Sequence, residues 1–230
     1  MTLLPRWLRH GYDAATRPIA RSLVTAGITP NLITTVGTGI LVASGVAFAA
    51  GSVRLGGLLV LLSGVCDTLD GKVARASGQV TPFGAFYDST LDRVGESALF
   101  AGIALYFVSG GVPSGLVPLA VFSAVAALAT GLLVSYARAR AEGLGLECKV
   151  GFAQRAERIL ALGVPTLLFA AGPEGRLLLA IVILLAGIAA VTVVQRVVHV
   201  YRETRSRPTG AGGSKRPPAS LEPAGKGQQR

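Results

Sequence analysis

Charge is scarce in this sequence, and acid is scarcer still. Charged residues fill 15% of its 230 positions against 51% apolar, and Asp and Glu together number 12. With a mean hydropathy of +0.57, this excludes an ordinary soluble domain, in which about a quarter of residues are charged. The chain reads as one membrane domain plus a tail. Cysteine is limited to Cys66 and Cys148. Without metal-site spacing, and at or near an expected cytoplasmic face, both read as free thiols. The first 30 residues mix polar and apolar side chains and lack the continuous apolar run of a cleavable signal peptide. No internal repeat is visible.

What charge there is leans basic, with 22 Lys and Arg and a net +10, and its placement is informative. Cations fall at Arg6, Arg9, Arg17 and Arg21; at Lys72, Arg75 and Arg93; at Arg138, Arg140, Lys149, Arg155 and Arg158; and from Arg196 onward. Only Arg54 and Arg176 occupy the alternate turns. The positive-inside rule then predicts a multi-pass protein of the cell membrane with both termini cytoplasmic. Because the basic residues are interleaved with apolar spans, anionic lipid headgroups or anionic substrates are the expected partners, and nucleic acid is not.

The pattern predicts an all-α integral membrane protein. Residues 1–26 form a juxtamembrane segment in which basic and apolar residues alternate at helical spacing beside Trp7 and Tyr12, an interfacial amphipathic helix. Residues 27–205 carry six transmembrane helices, at about 32–50, 55–75, 82–108, 114–141, 156–171 and 177–201. Residues 206–230, rich in Pro, Gly, Ser and charge, are expected to be a disordered cytoplasmic tail.

Four of the five aspartates sit in one stretch, Asp67, Asp70, Asp88 and Asp92. At about 100° per residue, Asp67, Asp70, Gly71, Ala74 and Arg75 share one stripe of a helix. Gly84, Asp88 and Asp92 step along a second helix at i, i+4, i+8. The connector from Ala76 to Pro82 suits a turn, since Gly78 breaks one helix and Pro82 opens the next. Two helices joined this way are expected to pack as antiparallel neighbours with all four carboxylates at one end. An Asp at the centre of a membrane helix costs about 2.5–3.5 kcal/mol, whereas each Leu, Ile or Val contributes only about 0.3–0.6. Four carboxylates this close also repel one another, and Arg75 alone is too little to compensate. A hard divalent cation with oxygen ligands, above all Mg²⁺, fits, because it keeps positions open for substrate phosphates.

At these residues the chain also resembles a known family. The pattern D-x2-D-G-x2-A-R-x8-G-x3-D-x3-D, filled by Asp67, Asp70, Gly71, Ala74, Arg75, Gly84, Asp88 and Asp92, is similar at every fixed position to the signature of the CDP-alcohol phosphatidyltransferases. That resemblance implies transfer of a phosphatidyl group from a CDP-linked lipid such as CDP-diacylglycerol to a hydroxyl, with release of CMP, in phospholipid biosynthesis. It implies that the four aspartates hold Mg²⁺, two ions with Mn²⁺ as a substitute, and that Asp92 is the catalytic base. It places Gly71, Ala74, Arg75, Thr81 and Gly84 along the CDP-lipid, with Asn31 and Thr34 closing the nucleotide pocket, and it implies a homodimer.

A second group, Arg138, Arg155, Arg158 and Arg196, falls at the expected cytoplasmic ends of spans four to six. Arginine forks bind phosphate in a bidentate way, although membrane-anchoring cations that snorkel to headgroups occupy the same places. The runs Ser135 to Glu142, Gln154 to Arg158 and Thr192 to Arg196 resemble the branch of the family that makes phosphatidylinositol phosphate from inositol phosphate. Arg138 stands where that branch usually has Lys, and Ala156 where it has Pro. Inositol phosphate, or a similar phosphorylated alcohol, is the expected acceptor, and glycerol-phosphate-type acceptors are the alternative. From other classes, a prenyltransferase needs a second Asp-rich motif that residues 142–157 lack. A divalent-cation transporter needs its acids near the bilayer midplane, whereas these lie near a helix end.

Overall fold

The computed structural model describes residues 6–148, 150–151 and 155–206. The expected tail from residue 207 onward and the side chain of Arg155 lie outside the described residues. Seven α-helices account for almost all of it, and no strand occurs among the described residues. They are α1 (Arg6–Thr25), α2 (Pro30–Ala49), α3 (Val53–Ala76), α4 (Pro82–Tyr106), α5 (Val117–Gly143), α6 (Arg155–Phe169) and α7 (Arg176–Ser206).

Local chemistry sets the helix ends nearest the aspartates. The Thr29 hydroxyl accepts from the Leu32 N–H, and Pro30 opens α2. Likewise the Thr81 hydroxyl accepts from the Gly84 N–H at 3.0 Å, and Pro82 opens α4. Proline there forfeits no helical hydrogen bond and arrives with its φ already set. Between α3 and α4 the chain reverses through Gly78 at φ +70°, a left-handed conformation that glycine adopts without a Cβ clash.

Six helices follow α1, and among the described residues four helical stretches are long and apolar enough to cross a membrane: Pro30–Ala49, Pro82–Gly111, Ser114–Gly143 and Pro173–Arg205. The other two fall short for different reasons. The C-terminal part of α3 carries Asp67, Asp70, Lys72 and Arg75. With 15 residues, α6 is about 22 Å long, against a hydrocarbon core of about 30 Å. Large apolar side chains point outward from the bundle, including Val46, Phe122, Val125, Leu184 and Val194. Such a surface would aggregate in water and is at home in lipid.

The helices pack where side chains are smallest. The Gly45 carbonyl of α2 seats directly on Gly102 of α4, and the Ala98 carbonyl of α4 seats on Gly45. A Cβ at either glycine would collide with backbone. On the other side of the bundle, Gly57 of α3 receives Thr166 and the Leu167 amide of α6. In lipid, where apolar burial does not drive helix association, such close approach is the source of cohesion. The main core gathers Phe48, Val60, Ile103, Phe107, Leu178 and Val182 around these crossings. A smaller cluster of Ala20, Ile33, Leu69 and Val73 seats α1 against α3 and the start of α2, and the Lys72 ammonium donates to the Thr16 hydroxyl there.

One expectation about packing is corrected. α3 and α4 are neighbours in the chain, yet no extended α3–α4 seam exists among the described residues; each lies against α2 instead. Direct packing would press four carboxylates together with no room for a counterion. With α2 as the common support, the two acidic stripes face across a gap.

Candidate metal and active site

The gap is a small cleft lined by Asp67 and Asp70 from α3, Asp88 and Asp92 from α4, Thr34, Gly37 and Thr38 from α2, and Ser63. Asp67, Asp88 and Asp92 each offer a carboxylate oxygen, and these oxygens lie within 4.8 Å of one another. Asp70 is buried behind them. Its Oδ2 accepts a 2.8 Å hydrogen bond from the Thr34 hydroxyl, whose proton is shared with the Pro30 carbonyl at 3.1 Å. Gly37 lets α2 approach α3, since a Cβ there would come 2.8 Å from Cys66 Cβ. The Tyr87 hydroxyl meets that of Thr35 at 2.9 Å and ties α4 to α2 beside the cleft.

Three converging carboxylates at the end of apolar helices form a hard, all-oxygen donor set with several units of negative charge. Such a set fits a divalent cation, with coordination positions open to substrate oxygens. Two glycines near the cleft leave the backbone bare. The Arg75 guanidinium folds over Gly71, where a Cβ would lie 3.4 Å from its Nη1. A Cβ on Gly84 would lie 3.1 Å from Thr81 Oγ1 and 3.6 Å from Asn31 Oδ1. Asn31, Thr81 and Gly84 therefore meet where α2 and α4 begin, and Ala74 stands half-buried one turn beyond Asp70.

The arginines take three different settings. Arg138 is exposed and pairs with Glu142 at 2.8 Å. Arg196 reaches from α7 to donate to the carbonyls of Val134 and of Val150, the latter at 3.1 Å. Arg158 reaches from α6 and pairs with Glu96 of α4 at 2.7 Å, both side chains being nearly enclosed. Arg155 contributes the first backbone position of α6, and its side chain lies outside the described residues.

Sequence reasoning passed over Thr38, Ser63 and Glu96. Thr38 lies four residues after Thr34, on the same face of α2. Glu96 lies four residues after Asp92 and so continues the stripe of Gly84, Asp88 and Asp92. That spacing was a usable signal.

Fold and site together define a helical membrane protein with converging carboxylates able to hold a divalent cation. The model of the CDP-alcohol phosphatidyltransferase family matches residues 27–200, and the chain belongs to that family of transferases. Phosphatidylinositol phosphate synthase from Cutibacterium acnes is 39% identical over 206 residues, covering 86% of this chain and 98% of that protein. Archaetidylinositol phosphate synthase from Methanothermobacter thermautotrophicus is 36% identical over 199 residues, covering 82% of this chain and 94% of the relative. Among solved structures, Mycobacterium tuberculosis phosphatidylinositol phosphate synthase with CDP-DAG bound superimposes with a TM-score of 0.69 at 34% identity, covering 81% of this chain and 93% of that one. The same enzyme in complex with manganese and citrate gives 0.70 at 34% identity, over 81% and 88% of the two chains. The chain is thus an enzyme of phospholipid biosynthesis, and the transporter reading is set aside.

Proposed function

We propose that this chain transfers the phosphatidyl group of CDP-diacylglycerol to inositol phosphate and releases CMP. The observation that carries the reading is the convergence of Asp67, Asp88 and Asp92 within 4.8 Å, built by the family's own motif. The bacterial and archaeal relatives differ in the lipid part of their names and share inositol phosphate, which favours that acceptor over a glycerol phosphate.

Asp67, Asp70, Asp88 and Asp92 would hold Mg²⁺, as two ions with Mn²⁺ as a substitute. Bound there, the cation neutralises diphosphate charge and stabilises the leaving CMP oxygen. Asp92, the last of the series and one turn from Asp88, takes the proton of the attacking hydroxyl as general base. Gly71, Ala74, Arg75, Thr81 and Gly84, with Asn31 and Thr34, line the CDP-lipid, whose close approach is favoured by the two missing Cβ atoms. Arg138, Arg155, Arg158 and Arg196 receive the acceptor phosphate, which brings about two further negative charges. Each charge-assisted bond there is worth about 1.5–3 kcal/mol.

In the same reading, helices α2 to α7 are the six spans of a unit covering residues 27–205. The segment 1–26 lies along the interface, and 206–230 is a tail. The Lys/Arg asymmetry supports a cell-membrane protein with the cleft and both termini cytoplasmic. The family resemblance supports a homodimer.

The test is CMP release by purified protein with CDP-diacylglycerol against inositol phosphate, free inositol, glycerol phosphate and serine. Inositol phosphate is expected to be strongly preferred. Chelator should abolish the reaction, Mg²⁺ should restore it, and Asp67→Asn or Asp88→Asn should remove it in a folded protein. Preference for serine or free inositol would overturn the acceptor assignment. Full activity of either aspartate variant would overturn the site.

A further inference from the structure

The acidic stripe of α4 does not end at Asp92. Glu96 follows one turn deeper, about 6 Å along the helix axis, and is only 8% exposed. A carboxylate buried at that depth is costly unless it meets a cation, and two are present. The Arg158 guanidinium lies 2.7 Å from Oε1. The Arg93 guanidinium stands between Glu96 and Asp92, 3.6 Å from Glu96 Oε2 and 3.5 Å from Asp92 Oδ2. Arg158 arrives from α6 and is received by a third element: Gly131 of α5 presents a bare backbone, and a Cβ there would sit 2.9 Å from Nη1 of Arg158 and 3.9 Å from Glu96 Oε2. The guanidinium therefore occupies a slot with a charged wall on α4 and a glycine wall on α5.

An arginine merely anchoring the chain to headgroups does not need such a slot, because it can extend into water. An arginine that must present its fork in one orientation does need one, since bidentate recognition of phosphate is geometrically strict. The stripe also sets the separation: the group that fixes Arg158 is one turn from the carboxylate proposed to take the acceptor proton.

We propose that Glu96 is a positioning residue for the acceptor, holding Arg158 so that its guanidinium faces the acceptor phosphate beside Asp92. This rests on the proposed role of Arg158 in receiving that phosphate. Glu96 itself touches neither substrate. Its contribution is to fix the arginine's orientation and to supply its counter-charge before the acceptor arrives.

The test measures CMP release by the purified full chain, varying CDP-diacylglycerol and inositol phosphate in turn, for Glu96→Gln, Gly131→Ala, Arg158→Ala and the Glu96→Gln/Arg158→Ala double variant. Glu96→Gln keeps the shape and removes the charge. Gly131→Ala keeps the charges and pushes only the flexible tip of Arg158, so it is expected to fold. Each should raise the KM for inositol phosphate about tenfold and leave the KM for CDP-diacylglycerol within about twofold. The double variant should be no worse than Arg158→Ala alone, because Glu96 acts through the arginine.

If Arg158→Ala raises the acceptor KM while Glu96→Gln and Gly131→Ala do not, Glu96 only braces α4 against α6 and the proposal fails. Fully additive losses, or equal losses in both KM values, overturn it as well. An Arg158→Ala variant with an unchanged acceptor KM overturns the acceptor assignment first, and this inference with it. Should Glu96→Gln not fold, Gly131→Ala decides by the same criteria.

Discussion

Replacing Thr34 by Val removes one hydroxyl from the cleft and leaves its shape. The hydroxyl is buried and donates to Asp70 Oδ2 at 2.8 Å. A hydrogen bond to a charged group contributes about 1.5–3 kcal/mol, so the ionised form of Asp70 should lose roughly that much support. At 1.4 kcal/mol per factor of ten, any equilibrium that needs the ionised carboxylate shifts by about ten- to 150-fold. Under the proposed function that equilibrium is cation binding. Thr34→Val should therefore raise the Mg²⁺ concentration for half-maximal CMP release by at least about tenfold, and saturating Mg²⁺ should restore most of the activity. Thr34→Ser, which retains the hydroxyl, should stay close to wild type. An unchanged Mg²⁺ dependence in a fully active Thr34→Val protein would refute the reasoning. So would a loss that Mg²⁺ cannot restore, which would leave Thr34 acting only on the CDP-lipid beside it and not through Asp70.

Gly102→Ala should destabilise the bundle, because its Cβ would meet the Gly45 carbonyl, which cannot move aside as a side chain can; overpacking of this kind costs about 1–3 kcal/mol. A lowered melting temperature in detergent checks it, and an unchanged one would show that α2 and α4 can separate freely. For orientation, a cysteine at Ser114 should react with an impermeant thiol reagent in intact cells and one at Ser206 should not. The opposite pattern would put the cleft on the outer side.

Much of this molecule was written in local spacing. Thr81, Pro82 and Gly78 act on their immediate neighbours, so the break between α3 and α4 follows from the residues themselves. The aspartate stripes are equally local, since i, i+4 positions share a helix face whatever the helix packs against. The short polar and glycine-rich turns separate the apolar runs in the same way. For α3 and α6 the sequence is less decisive, because charge at one end of α3 and the small length of α6 blur the signature of a span.

What the chain order did not carry is which helix stands between which. Consecutive helices are natural neighbours, but the carboxylates of α3 and α4 repel, and the glycines of α2 offer each of them a closer contact. Contact depends on the match of two distant surfaces, as at Gly45 and Gly102. The arginines divide along the same line. Their place at the helix ends is readable from charge asymmetry. That Arg196 turns to the Val134 and Val150 carbonyls, and Arg158 to Glu96, was decided by tertiary structure alone. A long flexible cation goes to whichever acceptor the fold brings within reach, and in a low-dielectric interior the buried carboxylate of Glu96 holds it.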